Sequence, residues 1–175
     1  MKTTMIILTI LLVACGKAKK GSSVEFITEA VAQDSIFRKL IVLTDNRVPE
    51  ATRHDSLAFL VLPVQASCPA CRKKTIDSII KNESRLLPNH FVVISAIGGK
   101  KIIGSYFKEE HAGLPESDNV ILDSANSAYK YNLYTDKPTF YYTHNQKAYK
   151  RVAAIPITVK EDLREFFSGY RNVNK

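Results

Sequence analysis

The chain has 175 residues, 45% of them hydrophobic and 24% charged, enough for one compact domain with a real core and too few for two large ones. Its net charge of +8 is not interleaved with aromatic residues in a way that suits nucleic acid, so no nucleic-acid partner is expected. The basic surface fits an anionic membrane, an acidic partner or solubility alone. No internal repeat or low-complexity tract divides the sequence.

Met1-Lys2 gives a positive start, and residues 5–13 form an apolar run broken only by Thr9. That run falls short of the roughly 20 residues a membrane-spanning helix needs, which makes it a signal peptide. Leu12-Val13-Ala14-Cys15 resembles a bacterial lipobox. The resemblance implies cleavage before Cys15, a lipid on its sulfur, and attachment to a membrane at the extracytoplasmic face of the cell envelope. An ordinary secretory signal that contains a cysteine is the alternative. Residues 1–14 are then the signal peptide and 15–23 a lipidated, flexible tether rich in Gly, Ser and Lys. Residues 24–56 form an N-terminal extension, and 57–175 the main domain.

Residues 24–41 mix apolar spacings and do not separate helix from strand, while Asp45-Asn46 and Val48-Pro49-Glu50 mark turns. Residues 58–64 (AFLVLPV) are a nearly continuous apolar run of strand length, as in a strand buried on both faces, with Pro63 marking a bulge or the strand's end. Pro69 suits the first turn of a helix, and residues 70–82 place Cys71, Thr75, Ile76, Ile79 and Ile80 towards one side. Residues 91–97 (FVVISAI) form a second buried strand ended by Gly98-Gly99, which completes a parallel crossover unit. A helix is expected within 100–111, a short strand at 119–123, and a short helix over 124–131 capped by Asp123 or Ser124. Residues 139–143 and 148–154 flank a turn at 144–147 and read as a hairpin. The chain closes with an amphipathic helix over 158–167, with Thr158 and Glu161 spaced as a capping box.

With Cys15 assigned to lipid, Cys68 and Cys71 are the remaining thiols. A disulfide between them closes a very small ring that constrains little of the unfolded chain, so a redox pair explains them better than a structural staple. A CxxC at a helix start beside a strand–helix–strand unit is itself a redox motif. The element order around Ser67-Cys68-Pro69-Ala70-Cys71-Arg72, together with Lys137-Pro138-Thr139-Phe140-Tyr141-Tyr142, resembles the thioredoxin fold over roughly residues 57 to 170. The wide separation of the two motifs is similar to the TlpA-like thiol–disulfide oxidoreductases of the bacterial envelope. The resemblance implies an α/β domain with a central mixed sheet flanked by helices. It also implies a cis bond before Pro138, contact with substrate at Pro69, Ala70, Lys137 and Pro138, and catalysis by Cys68 and Cys71 without a cofactor. The expected partners are a protein thiol or disulfide and a separate redox partner, with the chain a monomer.

In this chemistry Cys68 is the nucleophile, its thiolate favoured by the helix N-terminus and by Arg72, Lys73 and Lys74, and Cys71 resolves the mixed disulfide. Three positions depart from the thioredoxin pattern. Ser67 stands where an aromatic residue precedes the first cysteine, Leu62 where a buried acid assists the second, and Lys137 where a smaller residue precedes the proline. Other readings stay open. A metal site lacks a second ligand pair, because His54, His90, His111 and His144 are scattered and read as surface or loop residues. The cysteine spacing is one residue short of copper-delivery relatives. Pro63, Ser67 and Cys71 match peroxiredoxin spacing but leave Cys68 unused. A non-catalytic lipoprotein that binds a protein or peptide is the main alternative, with Tyr129, Tyr131, Tyr134, Tyr141 and Tyr142 as a surface.

Overall fold

A computed structural model describes residues 23–169, so the signal peptide, Cys15 and all but the last residue of the tether lie outside the described residues. The elements run β1 (Ser23–Phe26), α1 (Ala30–Leu43), β2 (Leu57–Pro63), α2 (Pro69–Asn82), β3 (His90–Ser95) and α3 (Gly99–Glu109). They continue as β4 (Val120–Asp123), α4 (Ser127–Lys130), β5 (Thr139–His144), β6 (Lys147–Ala153) and α5 (Val159–Ser168). All six strands join one sheet in the order β1-β6-β5-β2-β3-β4. β2 pairs in parallel with β3, and β3 with β4, while β2–β5, β5–β6 and β1–β6 are antiparallel. A strand–helix–strand unit, a hairpin and a closing helix around a central β2 make this the thioredoxin-like arrangement of a mixed sheet flanked by helices.

β2 is buried along its whole length because it has a core on each side. Leu60 and Leu62 face a cluster with Ile76 and Ile79 of α2, Ile103 and Phe107 of α3, and Leu163 and Phe166 of α5. Phe59 and Val61, which alternate with them, face Phe37, Leu40 and Ile41 of α1 together with Tyr141 and Leu133. The segment that could not be assigned from its spacing thus holds both element types. β1 adds an edge strand against β6, and α1 supplies the helix of the second core.

Pro63 ends β2, and Pro69 is the first residue of α2. The helix expected over 124–131 is shorter. Asn126 takes a left-handed backbone conformation before it, and the Asp123 carboxylate accepts from the N–H groups of Ser127 and Ala128 at 2.8 Å each. The hairpin turns through Asn145 and Gln146, both at positive φ. The capping box at α5 is not formed: Thr158 Oγ1 donates to Asp162 Oδ2 at 2.8 Å instead, and its backbone is already helical in φ and ψ. His90 is buried on β3, edge-on to Phe166 at 5.1 Å, whereas His54, His111 and His144 are exposed as expected.

Tyr141 carries the hydrogen bond that ties β5 to the loop before it, its hydroxyl donating to the Leu133 carbonyl at 2.8 Å. Burial pushes its phenol up to about 12. Tyr141→Phe leaves that carbonyl unpaired and is expected to cost about 1–3 kcal/mol in urea unfolding. The folded phenol holds its proton to higher pH than the unfolded one. Its contribution is therefore complete below about pH 10 and lost as pH rises to about 12. The variant should show a flatter fall in stability across that alkaline window.

Candidate functional site

The site lies where the parallel strands end. β2 stops at Pro63, the Ser67 N–H donates to the Pro63 carbonyl at 2.9 Å, and α2 begins two residues later. Cys68 is the residue that caps α2, and its sulfur accepts from the Cys71 N–H at 3.1 Å. Cys68 and Cys71 are joined as a disulfide, with their Cα atoms 5.3 Å apart. The two sulfurs differ in access. Cys68 is half-buried behind exposed Pro69 and Ala70, whereas Cys71 is 1% exposed and lies on the buried face of the helix with Thr75 and Ile76.

Pro138 reaches the same place from β5. Val61 pairs with Thr139, so one further antiparallel step sets Pro138 opposite Leu62, at the end of β2 that leads to the cysteines. Pro138 is buried, its carbonyl accepts from Ala154 N–H at 2.9 Å, and Lys137 beside it is half-buried. The expected cis bond is absent, since no peptide bond among the described residues is cis. Pro138 extends the β5–β6 ladder through its carbonyl, and the trans form is the lower-energy isomer of an X–Pro bond.

The cations expected to favour a thiolate are engaged elsewhere. Arg72 donates to the Val64 carbonyl at 3.2 Å and lies over the Tyr106 ring at 4.4 Å. Lys73 pairs with Glu110 and with Asp77, and its hydrogen bond to Glu110 raises its pKa. Lys74 donates to the Pro156 carbonyl at 3.0 Å. What faces the Cys68 sulfur is the start of α2 itself.

Among the described residues no buried acid stands on β2 in place of the one missing at Leu62. Asp123 is the one buried carboxylate among the described residues, and it lies on β4, two strands or about 10 Å from β2. Its oxygens are taken by the N–H groups of α4 and by Ser95 Oγ at 2.8 Å. Ser67 is 3% exposed, and its hydroxyl has no hydrogen-bond partner among the described residues. It is too small to shield the cysteines as an aromatic residue would.

Two residues of the site were missed in the sequence. Ile97 follows β3, is 69% exposed, and has its N–H held by the Gln65 side chain at 2.7 Å. Ile157, 72% exposed, follows the Pro156 carbonyl that Lys74 holds against α2. Ile97 comes after β3 and Ile157 after β6, strands that both end at the edge of the sheet where β2 stops, and their only sequence signal was an isoleucine next to turn residues. The tyrosines do not make one surface. Tyr141 and Tyr142 are buried on opposite faces of β5, and Tyr129, the exposed member, meets Tyr134 at 5.9 Å. Among the described residues no group of three or more His, Cys, Asp or Glu is placed to hold a metal ion.

The fold and this site together define a thioredoxin-like domain with a CxxC disulfide at a helix N-terminus. No protein-family model and no curated protein matches the chain. Among solved structures, the chain is similar to the crystal structure of a DsbF homologue from Corynebacterium diphtheriae. Identity is 15% and the TM-score 0.39, over 67% of this chain and 73% of that one.

The difference in access predicts selective chemistry. In the fully reduced protein under native conditions, iodoacetamide should label Cys68 at least ~10-fold faster than Cys71, as read by peptide mass spectrometry.

Proposed function

We propose that this protein is an envelope-anchored thiol–disulfide oxidoreductase of TlpA-like type, exchanging disulfides through Cys68 and Cys71. The observation that carries this reading is the pair itself: a disulfide with one accessible sulfur at a helix start and one buried sulfur a turn along. Aligned N–H groups stabilise negative charge there, which favours the thiolate that attacks.

In the reductive direction, the Cys68 thiolate attacks a substrate disulfide, forming a mixed disulfide and releasing one substrate sulfur as thiolate. The Cys71 sulfur, once deprotonated, then attacks Cys68 Sγ, releases the second substrate sulfur and closes the Cys68–Cys71 bond. Two electrons pass to the substrate, whose thiolates take up two protons. A separate dithiol partner restores the reduced pair. The same steps in reverse oxidise a substrate dithiol. Pro69, Ala70, Lys137 and Pro138 border the sulfur that meets the substrate, and Ile97 and Ile157 add apolar contact. The buried carboxylate of Asp123 is committed to α4 and Ser95, so in this reading the Cys71 proton leaves to water or to the departing substrate sulfur.

The anchor in this reading is Cys15, lipidated and joined to the domain by the tether, which places the chain at the extracytoplasmic face of a membrane.

In cells, Cys71→Ala should accumulate Cys68-linked mixed disulfides, visible as dithiothreitol-sensitive bands on non-reducing gels, and Cys68→Ala should show none. In an insulin-reduction or scrambled-disulfide assay, Cys68→Ala should lose at least ~100-fold in rate. Wild-type protein that is folded yet inactive in both assays, with no trapped partner, would leave a binding role as the better account.

A further inference from the structure

The N-terminal strand enters the sheet at the end that carries the cysteines. Ser23 pairs with Ala153, Ala153 with Thr139 and Thr139 with Val61, so a single row crosses the sheet from β1 to β2. Three strand spacings make that row about 14 Å long. β1 runs away from this edge, since Phe26 pairs with Lys150, further from the end of β6 than Ala153. The described chain therefore begins, at Ser23, on the cysteine edge.

Eight residue steps separate Cys15 from Ser23, a span of at most about 28 Å even when fully extended. A domain of about 150 residues has a radius of gyration near 15 Å, and so a diameter near 40 Å. A leash shorter than the body it holds cannot leave from the face turned away from its anchor. The cysteine edge is also chemically suited to a bilayer surface. Lys100 and Lys101 come shortly after exposed Ile97 past the end of β3, and Lys137 precedes Pro138 at the start of β5, at the edge of the sheet where β2 ends. Each lysine near an anionic leaflet contributes about 1 kcal/mol of attraction.

From this geometry we propose that the Cys68–Cys71 site works facing the membrane, and that its substrate is a cysteine-bearing polypeptide segment held close to the bilayer surface. The proposal rests on the lipid anchor and exchange chemistry put forward above, and it adds the location of the substrate. The tether then sets specificity through effective concentration: short, it favours thiols near the bilayer, and lengthened, it loses that preference.

The test uses the full mature, acylated chain in vesicles of phosphatidylethanolamine with about one quarter phosphatidylglycerol, a composition that supplies the anionic surface. A disulfide-bearing reporter peptide is fixed to the lipid either directly or through a Gly/Ser stalk of about 60 residues, long enough to clear the domain. The native protein should turn over the surface-held reporter at least ~10-fold faster than the stalked one. Inserting about 20 Gly/Ser residues after Lys20 should cut turnover of the surface-held reporter by ~5-fold and raise that of the stalked one. Equal turnover of both reporters by the native protein, or no effect of the insertion, overturns the proposal. Soluble Cys15→Ser protein separates the underlying readings. If it neither reduces a free peptide disulfide nor oxidises a free peptide dithiol, the exchange chemistry is wrong. If mass spectrometry finds no acyl chain on native Cys15, the anchor is wrong. Either result removes the membrane-facing site along with its basis.

Discussion

The whole arrangement depends on the pairing of β2 on both of its edges. Val61 stands opposite Val93 on one side and Thr139 on the other, which locks the strand's register twice. A slip of one residue would exchange Phe59 and Val61 for Leu60 and Leu62 across two cores of different shape. Register in turn sets where the strand must stop. Pro63 has no N–H for the ladder, and Pro69 has none to lose at the start of a helix, so the two prolines frame a turn of fixed length. Cys68 falls on the capping position of α2 as a consequence, and Cys71 on the helix's buried face. The same register brings Pro138 to the cysteine end of β2.

That placement matters more because side-chain charge is spent elsewhere. Arg72, Lys73 and Lys74 each satisfy an acceptor away from the sulfurs, and Asp123 is used to start α4. In the proposed exchange the stabilisation of a Cys68 thiolate therefore falls to backbone: the Cys71 N–H already directed at its sulfur, and the partial positive charge of the helix start. Such a source differs from a neighbouring lysine in kind. It is fixed in direction, it acts within the first turn, and it requires α2 to stay intact at Pro69. Ser67 adds no shielding aromatic surface, so the environment of the first cysteine is set chiefly by the helix and by exposed Pro69 and Ala70.

The elements nearest the site were the most legible in the sequence, for a physical reason. β2, α2 and β3 are buried on both faces or along one full helix face, and such burial writes itself as apolar runs and periodicity. The hairpin was legible through its alternation and polar turn. β1 and α1 were not, because β1 is an edge strand whose Val24 and Phe26 are exposed, so its pattern carries no inward face. α4 shrank because the left-handed turn at Asn126 competes with helix, a choice made by the Ser95–Asp123–Asn126 contacts rather than by local propensity. The isomer before Pro138 differs by under about 1 kcal/mol between states, so tertiary packing decides it and a motif does not. Ile97 and Ile157 became site residues only when separate strands ended at one edge.

The unequal exposure of the two sulfurs also bears on which class of function the site suits. A binding surface would gain from exposed, rigid aromatic area, yet Tyr141 and Tyr142 are spent in the two cores, and Tyr129 is the exposed member of the group. Disulfide exchange needs the opposite: little contact area, one sulfur that a partner can reach, and a second that only the first can reach. Cys68 and Cys71 meet that condition through their places on α2, since Cys68 caps the helix at the rim of the site and Cys71, about one turn further along the same face, is already in the core. In the proposed exchange the helix that orders the backbone donors also sets the order of attack. An intermediate linked through Cys68 has Cys71 within bonding reach, while a partner thiol must approach across Pro69, Ala70 and the Lys137–Pro138 rim. Release by the internal sulfur is thereby favoured over release by a second external one.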